Sequence, residues 1–346
     1  MDDGLKIYRE EGARLCAVVD RFEDVPVVVL GDLVLDEFLN AEIERVSREA
    51  PVLIVQQRSL HAMPGGGANA VHNLKALGGR PIPVGVVGAD EAGSRLVDLL
   101  DRAGIEISGI TVEAAYETPA KTRVLAALPH SRPQQVVRID KGSAHSVPSA
   151  VARAAVERAG RLLDGAEALL LSDYGYDAVR PDLSAALIEE AREDGLKITC
   201  DSRHRVREFA GVSAVTPNLG EAEEMLGWEL EDDVARLREA GARLLSSLGT
   251  ENVLITRGSR GMLLFDAKEG PFEIPVFGSD EVADVTGAGD TVIAAFTLGL
   301  ASGATPREAA LVANAAAGLV VMKRGTAIVT ARELTDALRR AGTARG

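Results

Sequence analysis

The chain has 346 residues, a formal net charge of −14, and 46% hydrophobic and 26% charged residues. That is ordinary globular composition, long enough to bury a core in one large or two small domains. The charge argues against nucleic acid or an anionic membrane as a partner, and no uncharged apolar run reaches the ~18 residues of a membrane span. The N-terminus begins acidic and lacks a signal-peptide core, so a cytoplasmic protein is expected. Cys16 and Cys200 lie far apart and read as reduced and buried, and the scattered histidines give no zinc spacing.

Residues 5–22 carry apolar positions at helical spacing, weakened at Gly12, and read as a packing or dimer-surface helix. Residues 1–24 are therefore expected to form an N-terminal helical extension to a domain spanning 25–346. The run Val25–Leu30 has the pattern of a buried parallel strand, ending at Gly31 and Asp32. Ligands in open α/β sheets bind beyond such strand ends, which is where Asp32 and Asp36 fall. Asp32 reads as a turn cap. Residues 38–60 are broken at Pro51 and hold a short strand at 52–55, and residues 118–140 give strands at 123–128 and 135–139. These hairpin patterns among α/β units predict a small β-sheet lid built from about 37–60 and 118–140.

Pro64, Gly65, Gly66, Gly67, Ala68 and Asn69 open a helix that runs to Leu77. Glycines there let a ligand lie against backbone, and the Asn69 amide suits a sugar hydroxyl. From 149 to 330 strands and helices alternate regularly, with polar residues at the strand ends: Ser172-Asp173-Tyr174, Asp201-Ser202-Arg203, Asn218 to Glu221, Arg257-Gly258. The fold class is thus α/β, a doubly wound, mostly parallel sheet. Asn218 and Glu221, three residues apart at a helix start, face one side; they could organise water around Mg²⁺, or Glu221 could simply answer the helix dipole.

The stretch Asp284-Val285-Thr286-Gly287-Ala288-Gly289-Asp290 runs into an apolar helix beginning at Thr291. Unpaired amides at such a helix start form an anion site, and the glycines allow close backbone approach. Asp290 is then either a simple cap or a base beside a phosphoryl group being transferred. No GxxxxGK[ST] is present, and no GxGxxG follows the first strand, so a P-loop is excluded and a nicotinamide enzyme disfavoured.

Three motifs in this order, PGGGANAVHNLKALG at 64–78, Asn218 with Glu221, and DVTGAGDTV at 284–292, resemble the ribokinase-like (PfkB-type) carbohydrate kinases over about residues 25–340. Within that family the chain is similar to the D-glycero-D-manno-heptose 7-phosphate kinases of lipopolysaccharide core synthesis. The stretches VSREAPV at 46–52, KTRVLA at 121–126, QQVVRID at 134–140, LLLSDYG at 169–175, TPNLGEAE at 216–223 and VVMKRGTAIV at 320–329 carry that likeness. Many such relatives continue into a nucleotidyltransferase domain; the chain stops at Gly346, so a single-activity kinase is expected.

The resemblance implies ATP-dependent formation of heptose 1,7-bisphosphate, with Asp290 taking the proton of the anomeric hydroxyl and the amides of Gly287, Ala288 and Gly289 holding the γ-phosphoryl group. It implies Asn218 and Glu221 at Mg²⁺ through water, Thr256, Gly258 and Gly261 along the nucleotide, and Asn314 near the base. Asp36, Gly65, Gly66, Gly67 and Asn69 would hold the sugar, and Lys121, Arg123 and Arg138 its phosphate. Asp284 and Thr286 fall where many relatives bind K⁺. Where relatives commonly have an Asp-Pro-Lys-Gly sequence this chain has Asp201-Ser-Arg-His-Arg205, so Arg203 or Arg205 would stand in for the lysine. A homodimer through the lid is expected. The competing readings are a kinase for another acceptor (fructose 1-phosphate, tagatose 6-phosphate, ribose or a nucleoside) and a catalytically silent sugar or nucleotide sensor.

Overall fold

The computed structural model describes residues 6–128, 131, 133–142, 146–230, 234–278, 284–323 and 325–343. The chain runs α1 (Lys6–Asp20), β1 (Pro26–Gly31), β2 (Leu33–Val46), β3 (Leu53–Gly66), α2 (Gly67–Ala76), β4 (Arg80–Gly88), α3 (Glu91–Arg102), β5 (Ile110–Glu113), β6 (Ala120–Ala127) and β7 (Gln134–Lys141). It continues through α4 (Ser149–Arg161), β8 (Ala168–Asp173), α5 (Pro181–Glu193), β9 (Lys197–Ser202), β10 (Ala214–Val215), α6 (Leu219–Leu226) and α7 (Val234–Leu248). Then follow β11 (Asn252–Thr256), β12 (Met262–Asp266), β13 (Gly270–Ile274), α8 (Ala288–Ala301), α9 (Pro306–Val320) and α10 (Ala331–Thr343). Leu5, the expected first residue of the N-terminal helix, lies outside the described residues. Among the described residues, no helix is long and apolar enough to cross a membrane.

Nine strands form the main sheet in the order β13-β12-β11-β10-β9-β8-β1-β4-β5. It is parallel except where β12 pairs antiparallel with β11 and β13. The β-branched and leucine runs alternate between its two faces, as a strand's two-residue period requires. Val27 and Val29 of β1 and Leu170 of β8 enter the core under α1, α2, α8, α9 and α10. Val28, Leu30, Leu169 and Leu171 enter the core under α4 to α7. α1 packs on α10 and α9, with Tyr8 fully buried and its hydroxyl on the Leu311 carbonyl. The expected extension is thereby part of one face of the sheet, in the packing role rather than a catalytic one.

β1 is the switch point. The chain first adds β4 on one side of it and later β8 on the other. A crevice opens at such a point beyond the strand ends. Asp32 sits there, buried, and accepts from the amides of Tyr174 (2.8 Å), Tyr176 (3.0 Å) and Ala178 (2.9 Å). It caps the loop after β8, as read from the sequence. Burial pushes its carboxyl up to about 6 against the pull of those amides.

The lid is a second sheet in the order β3-β2-β6-β7. It is larger than the sequence suggested. β2 starts at Leu33, and β3 runs on through Gly65 and Gly66, so the glycine-rich segment is strand before it is helix. The base of β2 reads as a continuous apolar run because both of its faces are buried there, which hid the strand's start. Asp36 and Gly65 thus lie where the lid meets the main domain.

Replacing Asp32 with Ala leaves three backbone donors without their carboxylate. At about 1–3 kcal/mol per unsatisfied buried donor, urea unfolding should show a loss of at least about 3 kcal/mol. A loss under about 1 kcal/mol would mean that the loop after β8 is held by other contacts.

Candidate active site

α8 begins at Ala288, three residues earlier than its apolar pattern suggested, because Gly287 takes φ +78° and serves as its N-cap. Asp290 is therefore inside the first turn and does not cap the helix. Its carboxylate is buried and held from two sides: Asn69 Nδ2 donates to Oδ2 at 2.7 Å and the Tyr174 hydroxyl to Oδ1 at 2.6 Å. A chain of buried donors fixes the Asn69 amide. Asn73 Nδ2 donates to Asn69 Oδ1 (3.1 Å) and to the Asn69 carbonyl (2.9 Å), while the Thr291 hydroxyl donates to Asn73 Oδ1 (2.9 Å). With its oxygen so engaged, Asn69 can only present NH₂ to Asp290. A Cβ on residue 287 would lie 2.6 Å from Asn69 Nδ2, so glycine there is what admits the Asn69–Asp290 contact.

Burial pushes the Asp290 carboxyl up to about 6, with Asp36 adding repulsion; Tyr174, Asn69 and, more weakly, Lys121 pull it back down. The amide of Ala288 donates to the Val285 carbonyl at 3.2 Å, so it is not free to hold an anion as expected. Among the described residues no acceptor takes the amides of Gly287 and Gly289. A Cβ on Gly289 would meet nothing within 4 Å, and Gly289 faces the open cleft. That cleft is lined by Asp173, Tyr174, Asp201, Arg203, Thr216, Asn218, Glu221, Thr256 and Gly289.

Asn218 and Glu221 form a reciprocal capping box on α6: Glu221 N donates to Asn218 Oδ1 (3.0 Å), and Asn218 N donates to Glu221 Oε2 (2.9 Å). The pair caps its helix and lines the cleft at once. Burial first, then repulsion from Asp290 and Glu221, pushes Asp201 up to about 8. Carboxyl groups crowded in this way favour a cation among them. Yet among the described residues no three acidic, His or Cys side chains converge on one point. The donor set fits a hydrated ion such as Mg²⁺, which keeps several of its waters, and does not fit a dry protein cage.

The two candidate arginines separate clearly. Arg205 forks onto Asp173 (2.6 Å) and Asp177 (2.7 Å), which makes it a structural ion pair. Arg203 lines the cleft and stacks over the Tyr174 ring at 5.3 Å. From the lid, the buried Lys121 ammonium lies 5.2 Å from the Tyr174 ring centre and 5.9 Å from that of Tyr176; burial, then Arg203, lowers its pKa. Arg123 is paired with Asp36 at 2.9 Å, off hydrogen-bond alignment. A Cβ on Gly65 would lie 2.7 Å from the Asp36 carboxyl, so glycine makes room for that carboxylate. Arg138 is bonded in its own exposed strand to Asp140, both contacts at 2.9 Å.

The other expected positions have partners or backbone roles within the protein. Asp284 accepts from the amides of Thr286 (2.9 Å) and Gly325 (3.0 Å), clamping two loops where a K⁺ site was expected. Asn314 donates to the Tyr8 hydroxyl (2.7 Å) and the Pro275 carbonyl (2.8 Å), which accounts for its burial without a nucleotide base. Gly258 and Gly261 bound a single 3₁₀ turn just after β11, beyond Thr256 of the cleft. Gly66 and Gly67 lie against Val34 and the Asp32 carbonyl, at the junction of lid and helix. Sequence reasoning placed Tyr174 and Asp201 at strand ends, where a site was expected, but gave neither them nor Thr216 a role.

The model of the pfkB family carbohydrate kinases matches residues 27–332. The chain is 41% identical over 326 residues to the bifunctional protein HldE of Mesorhizobium japonicum, across 92% of this chain and 63% of that one. It is 40% identical over 328 residues to HldE of Stutzerimonas stutzeri, across 94% and 66%. The chain thus spans about two thirds of the length of these bifunctional relatives. Among solved structures it is similar to Arabidopsis thaliana ribokinase complexed with ribose and ATP, with a TM-score of 0.70, 20% identity, and 92% and 99% of the two chains covered. It is equally similar to Escherichia coli phosphofructokinase-2 in complex with fructose-6-phosphate, with a TM-score of 0.71, 20% identity and the same coverage. These two likenesses establish the ribokinase-like fold.

Proposed function

The chain belongs to the pfkB family of carbohydrate kinases, and from that premise we propose that it transfers the γ-phosphoryl group of ATP to the anomeric 1-hydroxyl of D-glycero-D-manno-heptose 7-phosphate. The observation that carries the transfer chemistry is the Asp290 carboxylate, buried and oriented by two donors, near the amides of Gly287 and Gly289, which have no acceptor among the described residues. Asp290 accepts the proton of the acceptor hydroxyl as its oxygen attacks the γ-phosphorus and the bond from that phosphorus to the β,γ-bridging oxygen breaks, releasing ADP. The two amides and the start of α8 hold the phosphoryl oxygens as their charge is redistributed. Mg²⁺, when bound, cancels phosphate charge. Asn218 and Glu221 face it through water, and Thr256 with Gly258 and Gly261 runs along the nucleotide. Asp36 takes a sugar hydroxyl.

The heptose assignment rests on the lid stretches and on the bifunctional HldE relatives. The phosphate of the acceptor is best met by Lys121 and Arg203, which form no ion pair among the described residues and flank Tyr174 together. Arg123 and Arg138, the other expected contacts, are already paired with Asp36 and Asp140. That pairing favours a second reading with the same transfer chemistry, in which the acceptor is a sugar without a phosphate. We also propose a homodimer through the lid, where Val136, Val137 and Ile139 of β7 and Val46, Val52 and Leu53 near the β2–β3 turn are exposed.

In a coupled ADP-release assay, Asp290→Asn should lower kcat about 10²–10⁴-fold with ATP affinity retained. Wild-type kcat/KM should fall as pH drops through about 6, because the base must be ionised to act. Near-wild-type turnover in the variant would remove Asp290 from that role. Across a panel of sugars and sugar phosphates, heptose 7-phosphate should give the highest kcat/KM. Arg203→Ala and Lys121→Ala should each raise its KM roughly tenfold or more, with less effect on a sugar lacking the phosphate. Equal effects on both acceptors would support the second reading. Small-angle scattering should give the mass of a dimer, and Val137→Arg with Ile139→Arg a monomer; a monomeric wild type would end the lid-dimer proposal.

A further inference from the structure

We propose that Tyr174 is a positioning residue for phosphoryl transfer: its hydroxyl holds one oxygen of Asp290 and sets the orientation and basicity of that carboxylate. The inference rests on Asp290 being the base and gives one of its two donors a role in tuning that base, beyond the orientation already described. Tyr174 follows β8 directly. Its backbone amide is fixed by the buried Asp32 carboxylate at 2.8 Å, so the ring starts from a rigid point. The ring is covered by Lys121 at 5.2 Å and Arg203 at 5.3 Å. Among the described residues the hydroxyl has one partner, Asp290 Oδ1 at 2.6 Å, a short charge-assisted contact. A phenylalanine would fill the same space and touch the same cations. What the hydroxyl adds is therefore directed at the carboxylate.

The carboxylate has four lone-pair sites. Tyr174 takes one from Oδ1, and Asn69 takes one from Oδ2. Each oxygen keeps a second site, and the plane of the group is fixed by donors approaching from two elements. The other charged groups that act on this carboxylate are Asp36 from β2, Lys121 from β6 and Asp201 from β9. Of all these neighbours, only Tyr174 and Asn69 hydrogen-bond to it. Burial, with Asp290 and Asp201 nearby, keeps the phenol's own pKa far above its ordinary value, so it remains a donor throughout the working pH range.

The test is Tyr174→Phe, read in two ways. In protein labelled with ¹³Cγ-aspartate, the Asp290 resonance is identified by its loss in Asp290→Asn, and its titration needs no turnover. Its midpoint, expected at about 6 in the wild type, should rise by about one to two pH units when a hydrogen bond to the charged form is lost. Incorporating 3-fluorotyrosine, a stronger donor of similar shape, should move it the other way. In the kinase assay the variant should lose roughly 5-fold to 50-fold in kcat/KM at pH 6, following its ionised fraction, and recover most of it by pH 9, with KM for ATP unchanged. A midpoint unmoved by Tyr174→Phe, or a loss of activity equal at all pH values, overturns the proposal. Should the wild type phosphorylate no sugar at all, the proposed function fails and the resonance alone decides the role of Tyr174.

Discussion

Everything in the cleft depends on one carboxylate kept charged where water is scarce. Burying Asp290 raises its pKa, and unrelieved burial would leave it a neutral acid with nothing to contribute as a base. Two donors offset the burial without abolishing it. One comes from α2, whose Asn69 is locked by Asn73 and Thr291; the other comes from the loop after β8, tied to β1 through Asp32. The fold brings these distant segments together because β1 lies between β4 and β8, and α8 crosses the crevice on the face where α2 packs. The architecture is thus the means of holding one side chain in one ionisation state.

A chain with a net charge of −14 must also accept anions. It does so by cancelling charge locally and not by adding many cations. Arg205 neutralises Asp173 and Asp177 at the edge of the cleft, Asp32 is satisfied by three amides, and Asp284 by two. The positive field left over comes from Lys121, Arg203 and the start of α8. Asp201, crowded by Asp290 and Glu221, would hold a proton near neutral pH in the absence of a cation. In the proposed function, an ion entering with a nucleotide would relieve that crowding.

Much of this was legible in the sequence, for specific reasons. The parallel sheet followed from uninterrupted apolar strands alternating with amphipathic helices. The glycines at 287 and 289 before an apolar helix marked out Asp290, but the heptad alone left it open between a helix cap and a base; the structure removes the cap, since α8 starts at Ala288. The lid was legible as hairpin patterns out of place among α/β units, though its size was not, since the buried base of β2 lost its alternation. The roles of Arg203 and Arg205 could not be told apart, because what separates them is Asp177 and Asp173, carried on another strand and its loop. Asn69 was read as a sugar ligand and is engaged with Asp290, 221 positions away. The capping box of Asn218 and Glu221 could have been read from their spacing alone; the motif serves helix and cleft at the same time.

Tyr174 marks the limit of such reading. It stood in view at a strand end, but its meaning depends on a partner 116 positions on and on two cations from other elements. A base works best when its pKa approaches the pH at which it operates, since a weaker carboxylate would be ionised but reluctant to take the proton. In the proposed role of base, a carboxyl raised to about 6 would meet both demands. Burial alone would carry it too high, and full solvation would leave it near its ordinary value. The two hydrogen bonds set the compromise. The Asn69 bond is enforced by two buried side chains, Asn73 and Thr291, and by Gly287, whereas the Tyr174 bond comes from a ring that also faces the cations proposed for the acceptor.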